Sequence, residues 1–331
     1  MLGRKTAAIA ATLLSLLLGA LVLGLGVGAP SASAKPDLET VKKKVETLDR
    51  AAEVASERYN GARVKHDVSR TKLRALNADL ARQRAVVETM RKQVAAMVVD
   101  QYQGDELSTT SQVVLSADPD AFLDNLNAVS AYNTQRGQVM REFGTELDRL
   151  ELRRTAVSAE AKQLAGIEKK MKADKAEIDA KAARAQDLLD SLQADVRTKL
   201  LSGGSYSGPL PGVPSNGRAA DAVRFAMAQV GKPYSYGATG LGAYDCSGLT
   251  MRAWGAAGVG LPHSSSAQMG SGMRVAESDL EPGDLVFYYS PVSHVGMYIG
   301  NGLIVNAENP STGVRVTGLH SMPYVGAVRP G

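Results

Sequence analysis

The chain has 331 residues, 38 Lys and Arg against 34 Asp and Glu, a formal net charge of +4 and one cysteine. A charge balance this mild does not require nucleic acid as a partner, and a lone cysteine offers no internal disulfide to staple a fold. Aromatic residues make up 5% of the chain and few fall in its first two hundred positions, so more than one kind of structure is expected.

Arg4 and Lys5 precede an uncharged stretch from Thr6 to Gly28 that is rich in Leu, Ala and Val, followed by Ala29-Pro-Ser-Ala-Ser-Ala34. A short basic start, an apolar core and small residues before a cut are the layout of a secretory signal, here residues 1–34. The alternative is a retained anchor, because about 20 apolar residues can span a bilayer. Export to the cell wall or the extracellular space is the expectation.

From Lys35 to Leu201 the chain is dominated by Ala, Lys, Glu, Gln, Arg and Leu. Apolar residues recur in three-four steps at Leu73, Leu76, Leu80, Val87, Met90, Val94 and Met97, with Gln83 interrupting. A second seam runs Val157, Ala161, Leu164, Met171, Ile178, Ala182, Ala185, Leu189 and Leu192, interrupted by Glu168 and Lys175. Such spacing over several heptads predicts coiled coil. Gly104 and Asp118-Pro119 punctuate the middle, so residues 35–201 are expected to form an all-α antiparallel coiled-coil hairpin with a short helical tip near 109–117. The first helix would be on the order of 100 Å long. His66 and the carboxylates of this arm are expected on solvated faces, without chemistry of their own.

Residues 202–217 alternate Gly, Pro and Ser and predict a linker. Residues 218–331 then have the size of a single core. A helix is expected from Arg218 to Val230 and another over 247–257, then strands at 284–289, 294–299, 303–307, 314–317 and 325–329. Helices followed by short strands imply α+β with an antiparallel sheet.

Within this region, Asp245-Cys-Ser-Gly-Leu249 holds the only cysteine at a predicted helix start. There the free N–H groups and the helix dipole favour thiolate over thiol. A small buried core residue is the plain alternative. A nucleophilic thiol needs a base. Of the four histidines, His66 belongs to the arm, His263 follows Leu261-Pro262, His320 sits in a turn-like stretch, and His294 starts an apolar strand. His294 is the first candidate and His263 the second. Asn306, on the next strand and of the same parity, is expected opposite His294 in a hairpin and so placed to orient the imidazole. Glu308 shares that parity. One Cys and scattered His give no metal-ligand spacing, so neither a metal site nor a cofactor is expected.

Gly231-Lys-Pro-Tyr-Ser-Tyr-Gly237, Asp245-Cys-Ser-Gly-Leu249, Leu261-Pro with Ser264-Ser265 and Gln268, Pro282-Gly-Asp-Leu-Val286 and His294-Val-Gly-Met-Tyr-Ile-Gly300 occur in order. Together they closely resemble the NlpC/P60 family of cell-wall cysteine peptidases. The resemblance covers about a third of the chain, and the layout with an arm resembles exported actinobacterial wall hydrolases. It implies a papain-like α+β fold and cleavage of peptidoglycan stem peptides, typically at the D-γ-glutamyl bond to a diamino acid. It further implies Cys246 as nucleophile, His294 as base, Asn306 as the third polar residue, and substrate contacts at Tyr234, Asp245, Ser247, Ser265 and Gln268. Ala238 and His263 depart from the commoner Gly and Arg. An amidase or transpeptidase would use the same dyad, and a non-enzymatic recruiter of other hydrolases is the remaining alternative. The arm could also dock on a membrane complex at the division site.

Overall fold

The structure, a computed structural model, describes residues 38–102, 119–192, 194, 196–198, 206–212, 216–240 and 242–331. The signal-like segment and the expected tip near 109–117 lie outside the described residues. Among the described residues, no helix is long and apolar enough to cross a membrane.

Two long helices, α1 (Leu38–Tyr102) and α2 (Pro119–Asp190), form the arm. They run antiparallel, because partner numbers on α2 fall as those on α1 rise: Arg58 meets Asp174, Ser69 meets Glu160 and Gln83 meets Glu146. The interface is more polar than the seams suggest. Leu80, Val87, Ile178, Ala185 and Leu189 are buried, but so are Gln83, Glu160 and Asp174, while Ala161 is exposed. Near the first turns, Val41 and Val45 pack against Ala185 and Leu189. The expectation that the arm's carboxylates are solvated is therefore wrong for Asp49, Glu53, Glu160 and Asp174, all of which are buried.

The C-terminal region carries α3 (Arg218–Met227), α4 (Cys246–Ala256), the single-turn α5 (Ser265–Gln268) and six strands. The strands are β1 (Met273–Val275), β2 (Leu285–Tyr288), β3 (His294–Gly300), β4 (Leu303–Ala307), β5 (Val314–Gly318) and β6 (Tyr324–Arg329). Every pairing is antiparallel, in the order β1-β6-β2-β3-β4-β5. Alternation along the strands sends Val295, Met297, Val305 and Ala307 into a core with Leu249, Ala253 and Trp254 of α4. Val286, Tyr288 and Ile304 face the other way into a smaller cluster. Neither cluster draws on α1 or α2, so this region has a core of its own. Strand β1 and α5 are too short to leave a periodic signal, and α3 ends three residues before the expected Val230. Part of the expected linker lies on the sheet: the Tyr206 N–H donates to the Val316 carbonyl at 3.1 Å.

Candidate active site

The Asp245-Cys-Ser-Gly stretch is a helix start built around one carboxylate. Asp245 is the N-cap of α4 and accepts from the Gly248 N–H at 2.6 Å, with extended backbone at φ −94° and ψ 176°. The Gly237 N–H and the Ser247 hydroxyl donate to it as well, at 3.0 and 3.3 Å. Gly248 has a steric reason: a Cβ there would lie 2.1 Å from the Ala238 carbonyl oxygen. Capping thus fixes Cys246 as the first residue of α4, with its side chain 5% exposed.

His294 opens β3 and is fully buried. Its Nε2 donates to Asn306 Oδ1 at 3.1 Å, and the Asn306 amide is oriented by donating to Thr317 Oγ1 at 3.0 Å. The expected face-to-face placement of 294 and 306 needs correction. The register pairs Met297 with Val305 and Tyr298 with Ile304. Continued, it sets Gly296 across from Asn306 and His294 on the diagonal. The imidazole reaches Asn306 because Gly296 has no side chain; a Cβ there would be 3.3 Å from the Asn306 Cβ and 2.9 Å from Ile304 Cδ1. Thr317 left no signal in the sequence, being one threonine among alternating strand residues.

The other expected site residues divide. Tyr234 is buried, stacks edge-on with Tyr236 at 5.0 Å, and lines a cleft of about 1050 Å³ that also reaches Glu53 and Tyr289. Ser265 Oγ lies 3.7 Å from Cys246 Sγ. Asp245 and Ser247 are buried in the helix cap, and Gln268 is a buried tie between segments. Its Nε2 donates to the Ser247 and Pro262 carbonyls at 2.9 and 2.8 Å, while Oε1 accepts from Thr250 at 2.7 Å. His263 does not serve the thiol; its Nε2 sits 2.8–2.9 Å from the two Asp245 oxygens.

What the sequence reading missed comes from the arm. Asp49, Glu53, Glu57 and Asn60 recur at helical spacing along one face of α1, and that face lies on the site. The Glu53 carboxylate accepts from His294 Nδ1, and its second oxygen accepts from Arg50 at 2.6 Å. The Glu57 carboxylate accepts from the backbone N–H groups of Ser265 and Ser266 and from the hydroxyls of Ser264, Ser265 and Ser266, at 2.6–2.9 Å. Asn60 Nδ2 donates to Asp245 at 3.0 Å. The Arg50 guanidinium lies 3.3 Å over the Tyr289 ring. A second cleft, of about 570 Å³ and lined by Glu57, Gly61, Ser266 and Val292, borders the same helix.

This cover changes the electrostatics. The expected low-pKa thiolate is not what the structure holds: burial pushes the Cys246 thiol up, against the pull of His294. Burial also disfavours the His294 imidazolium, but Glu53 and Cys246 together outweigh it and hold the ring well above its ordinary range. With Nε2–H given to Asn306 and Nδ1–H to Glu53, His294 is charged. Among the described residues, the donors of Glu53, Cys246 and His294, all within 4.8 Å of one another, converge as metal ligands do.

The model of the NlpC/P60 family matches residues 231–327. The C-terminal region is an NlpC/P60 domain. It is 44% identical over 120 residues to a probable endopeptidase of Mycobacterium tuberculosis, a match covering 34% of this chain and 31% of that protein. A probable endopeptidase of Corynebacterium glutamicum is 46% identical over 107 residues, which cover 32% of this chain and 51% of the relative. The chain thus spans about a third to a half of the length of these two relatives. Among solved structures, the peptidoglycan hydrolase RipB of Mycobacterium tuberculosis is 29% identical, covering 34% of this chain and 64% of that one, with a TM-score of 0.32. Within the NlpC/P60 domain, the matched segment contains Cys246, His294 and Asn306, and ends before the last strand is complete.

Proposed function

We propose that the chain is an exported peptidoglycan endopeptidase that cuts stem peptides, at the D-γ-glutamyl bond to the diamino acid, and whose first helix covers the catalytic groove until it is displaced. The observation that carries the reading is the arrangement of Cys246 at a helix start, His294 beside it and Asn306 behind the imidazole, inside an NlpC/P60 domain. With the groove open, His294 Nδ1 draws the thiol proton and the Cys246 thiolate attacks the scissile carbonyl carbon. The oxyanion is met by backbone N–H at the start of α4, where intrahelical partners are lacking, and by the Tyr234 hydroxyl. The imidazolium then protonates the leaving amine, and the acyl group stays on sulfur as a thioester. Water, deprotonated by His294, hydrolyses that ester and restores the thiol. Asn306 keeps Nε2–H engaged, so that the working nitrogen is always Nδ1.

In the covered state this cycle cannot start. Glu53 holds the Nδ1 proton that the leaving amine needs, and α1 lies where substrate must enter. The test is digestion of purified peptidoglycan by residues 206–331, which hold both core clusters and the Tyr206–Val316 bond, followed by mass spectrometry of the fragments. New amino groups on the diamino acid and free γ-carboxyls on glutamate are expected, and their absence with Cys246→Ala. Release of sugar-linked lactyl groups would mean an amidase, and new cross-links a transpeptidase.

A further inference from the structure

Where α1 crosses the groove, three donors of different kinds meet: a carboxylate oxygen of Glu53, the Cys246 sulfur and a ring nitrogen of His294. All three residues are buried, and these atoms lie within 4.8 Å of one another. We propose that Glu53, Cys246 and His294 form a binding site for a thiophilic divalent cation of the zinc class, assembled only while α1 covers the groove. This rests on the reading of α1 as a cover and not on which bond the enzyme cuts.

The donor set is the first reason. Sulfur, imidazole nitrogen and carboxylate oxygen are the atoms zinc selects, at bonds of roughly 2.0–2.3 Å, which place tetrahedral ligand atoms about 3.3–3.6 Å apart. Shifts on the order of 1 Å within the observed cluster reach that geometry. The second reason is the outer shell. Metal-bound histidines give their other N–H to a fixed acceptor, and here Nε2–H goes to Asn306 Oδ1, which Thr317 holds in turn. That arrangement leaves Nδ1 to face the ion. The free Glu53 oxygen is held by Arg50. Third, the cleft of about 1050 Å³ reaches Glu53 and also exposes Glu46, Asp49 and Glu308, so solvent and further carboxylates meet the Glu53 side of the cluster.

Charge and protons balance. Thiolate and carboxylate supply two negative charges against the two of the ion. Binding releases to solvent the Nδ1 proton of the imidazolium, and the S–H proton where sulfur carries one. Spacing in the sequence could not show this site, because Glu53 stands 241 residues before His294. Since the arm supplies one ligand, ion and cover reinforce each other: whatever strengthens one must strengthen the other by the same factor.

The test uses the chain from residue 35 to 331, freed of metal and titrated with Zn²⁺ against a chromophoric chelator. One ion per chain is expected, bound more tightly than about 10 μM, and Co²⁺ in its place should show a sulfur-to-metal charge-transfer band. Glu53→Gln, checked for native helix content, should weaken Zn²⁺ by at least about 10–100-fold, the range seen even for outer-shell losses. Glu57→Gln removes no ligand but loosens the cover, so it should weaken Zn²⁺ by a smaller factor. No one-to-one binding in that range, or equal affinity in the native chain and Glu53→Gln, overturns the inference. Because no substrate is present, the outcome is separate from that of the enzymatic reading. Cleavage by residues 206–331 without zinc binding by the full chain removes the site alone, and the converse removes the enzyme alone.

Discussion

Nδ1 of His294, on the first residue of β3, donates to the carboxylate of Glu53, 241 residues earlier on α1. Both groups are buried, and Glu53 is held from its other side by Arg50. A buried charge pair of this kind adds little to stability compared with apolar packing, but it is costly to break by removing one member. Its value is therefore in fixing where α1 sits. It places a carboxylate on the proton that the proposed reaction must move.

Removing that carboxylate should open the enzyme. Glu53→Ala leaves His294 without its partner, and losing one member of a buried pair costs about 3–5 kcal/mol. The closed-to-open ratio should fall by two orders of magnitude or more, and cleavage of soluble muropeptides by residues 35–331 should rise towards that of residues 206–331. Glu57→Ala, which strips an acceptor from five donors around Ser264, Ser265 and Ser266, should act in the same direction. Equal rates for the native long chain and residues 206–331 would show that the cover is not inhibitory.

The proposed catalytic trio should respond in graded fashion in residues 206–331. Cys246→Ala should abolish cleavage, and His294→Ala should be nearly as severe because the two act as a unit. Asn306→Ala should lose less, and Asn306→His should retain activity, since imidazole nitrogen can accept from His294 Nε2–H. His263→Ala should lower thermal stability instead of acting on the chemistry, because His263 bonds the cap residue Asp245. A rate for His263→Ala as low as for His294→Ala would reverse the assignment of the two histidines.

The reactivity of Cys246 gives a third measure. In residues 35–331 iodoacetamide should label it slowly at neutral pH, since the thiol is covered and pushed up by burial. In residues 206–331 labelling should be markedly faster, as the helix start and His294 then act without Glu53. Equal labelling rates would mean that α1 does not cover the sulfur in solution.

Much of the proposed catalytic side of this site was legible in the sequence because its residues sit inside short, rule-bound elements. The cap at Asp245, the glycine at 248 and the alternation of β3 and β4 each follow from local geometry, and they carry Cys246, His294 and Asn306 with them. The register of β3 on β4 was not legible to better than two residues, because parity alone allows a slide of two. The covering side, contributed by α1, was hidden for a different reason. Asp49, Glu53, Glu57 and Asn60 follow a helical period, but polar residues at that period describe any solvated helix face. Only the distant groove distinguishes them. Gln268 and Ser247 look like groove residues by their place beside the motifs, yet packing spends both on tying α4 to the loop before α5.

Gly296 offers a test of how the imidazole is oriented. A Cβ at this position would press on Ile304 Cδ1 at 2.9 Å and on the Asn306 Cβ at 3.3 Å. Gly296→Ala should cost about 1–3 kcal/mol in stability, the usual range for overpacking, and displace Asn306 from His294. In residues 206–331 the rate should fall more than for Asn306→Ala, with the substrate KM little changed. Unchanged turnover would mean that β4 shifts as a whole and keeps the His294–Asn306 bond.

The grip of the arm should weaken as pH rises. Asp49, on the covering face of α1, is pushed up to about 6, first by burial and then by Glu53. A carboxyl raised on closing favours the closed state while it is protonated, so its contribution is complete below about pH 4 and is lost as pH rises through about 6. His294 is held above its ordinary range when closed. Its contribution is complete below that range and disappears as pH climbs through the raised value. Burial of the Cys246 thiol has the same sign at higher pH. Arg50 and Asp245 also face this cluster, and the phenols of Tyr236 and Tyr289, both raised by burial first, stay neutral. Closing therefore takes up protons throughout. Calorimetry of residues 35–201 binding to residues 206–331, with a chelator present, should show affinity falling about tenfold or more from pH 5 to pH 8. Asp49→Asn should flatten the lower part of that curve and Glu53→Gln the upper part. An affinity that rises with pH would mean that the clasp is held by other charges than these.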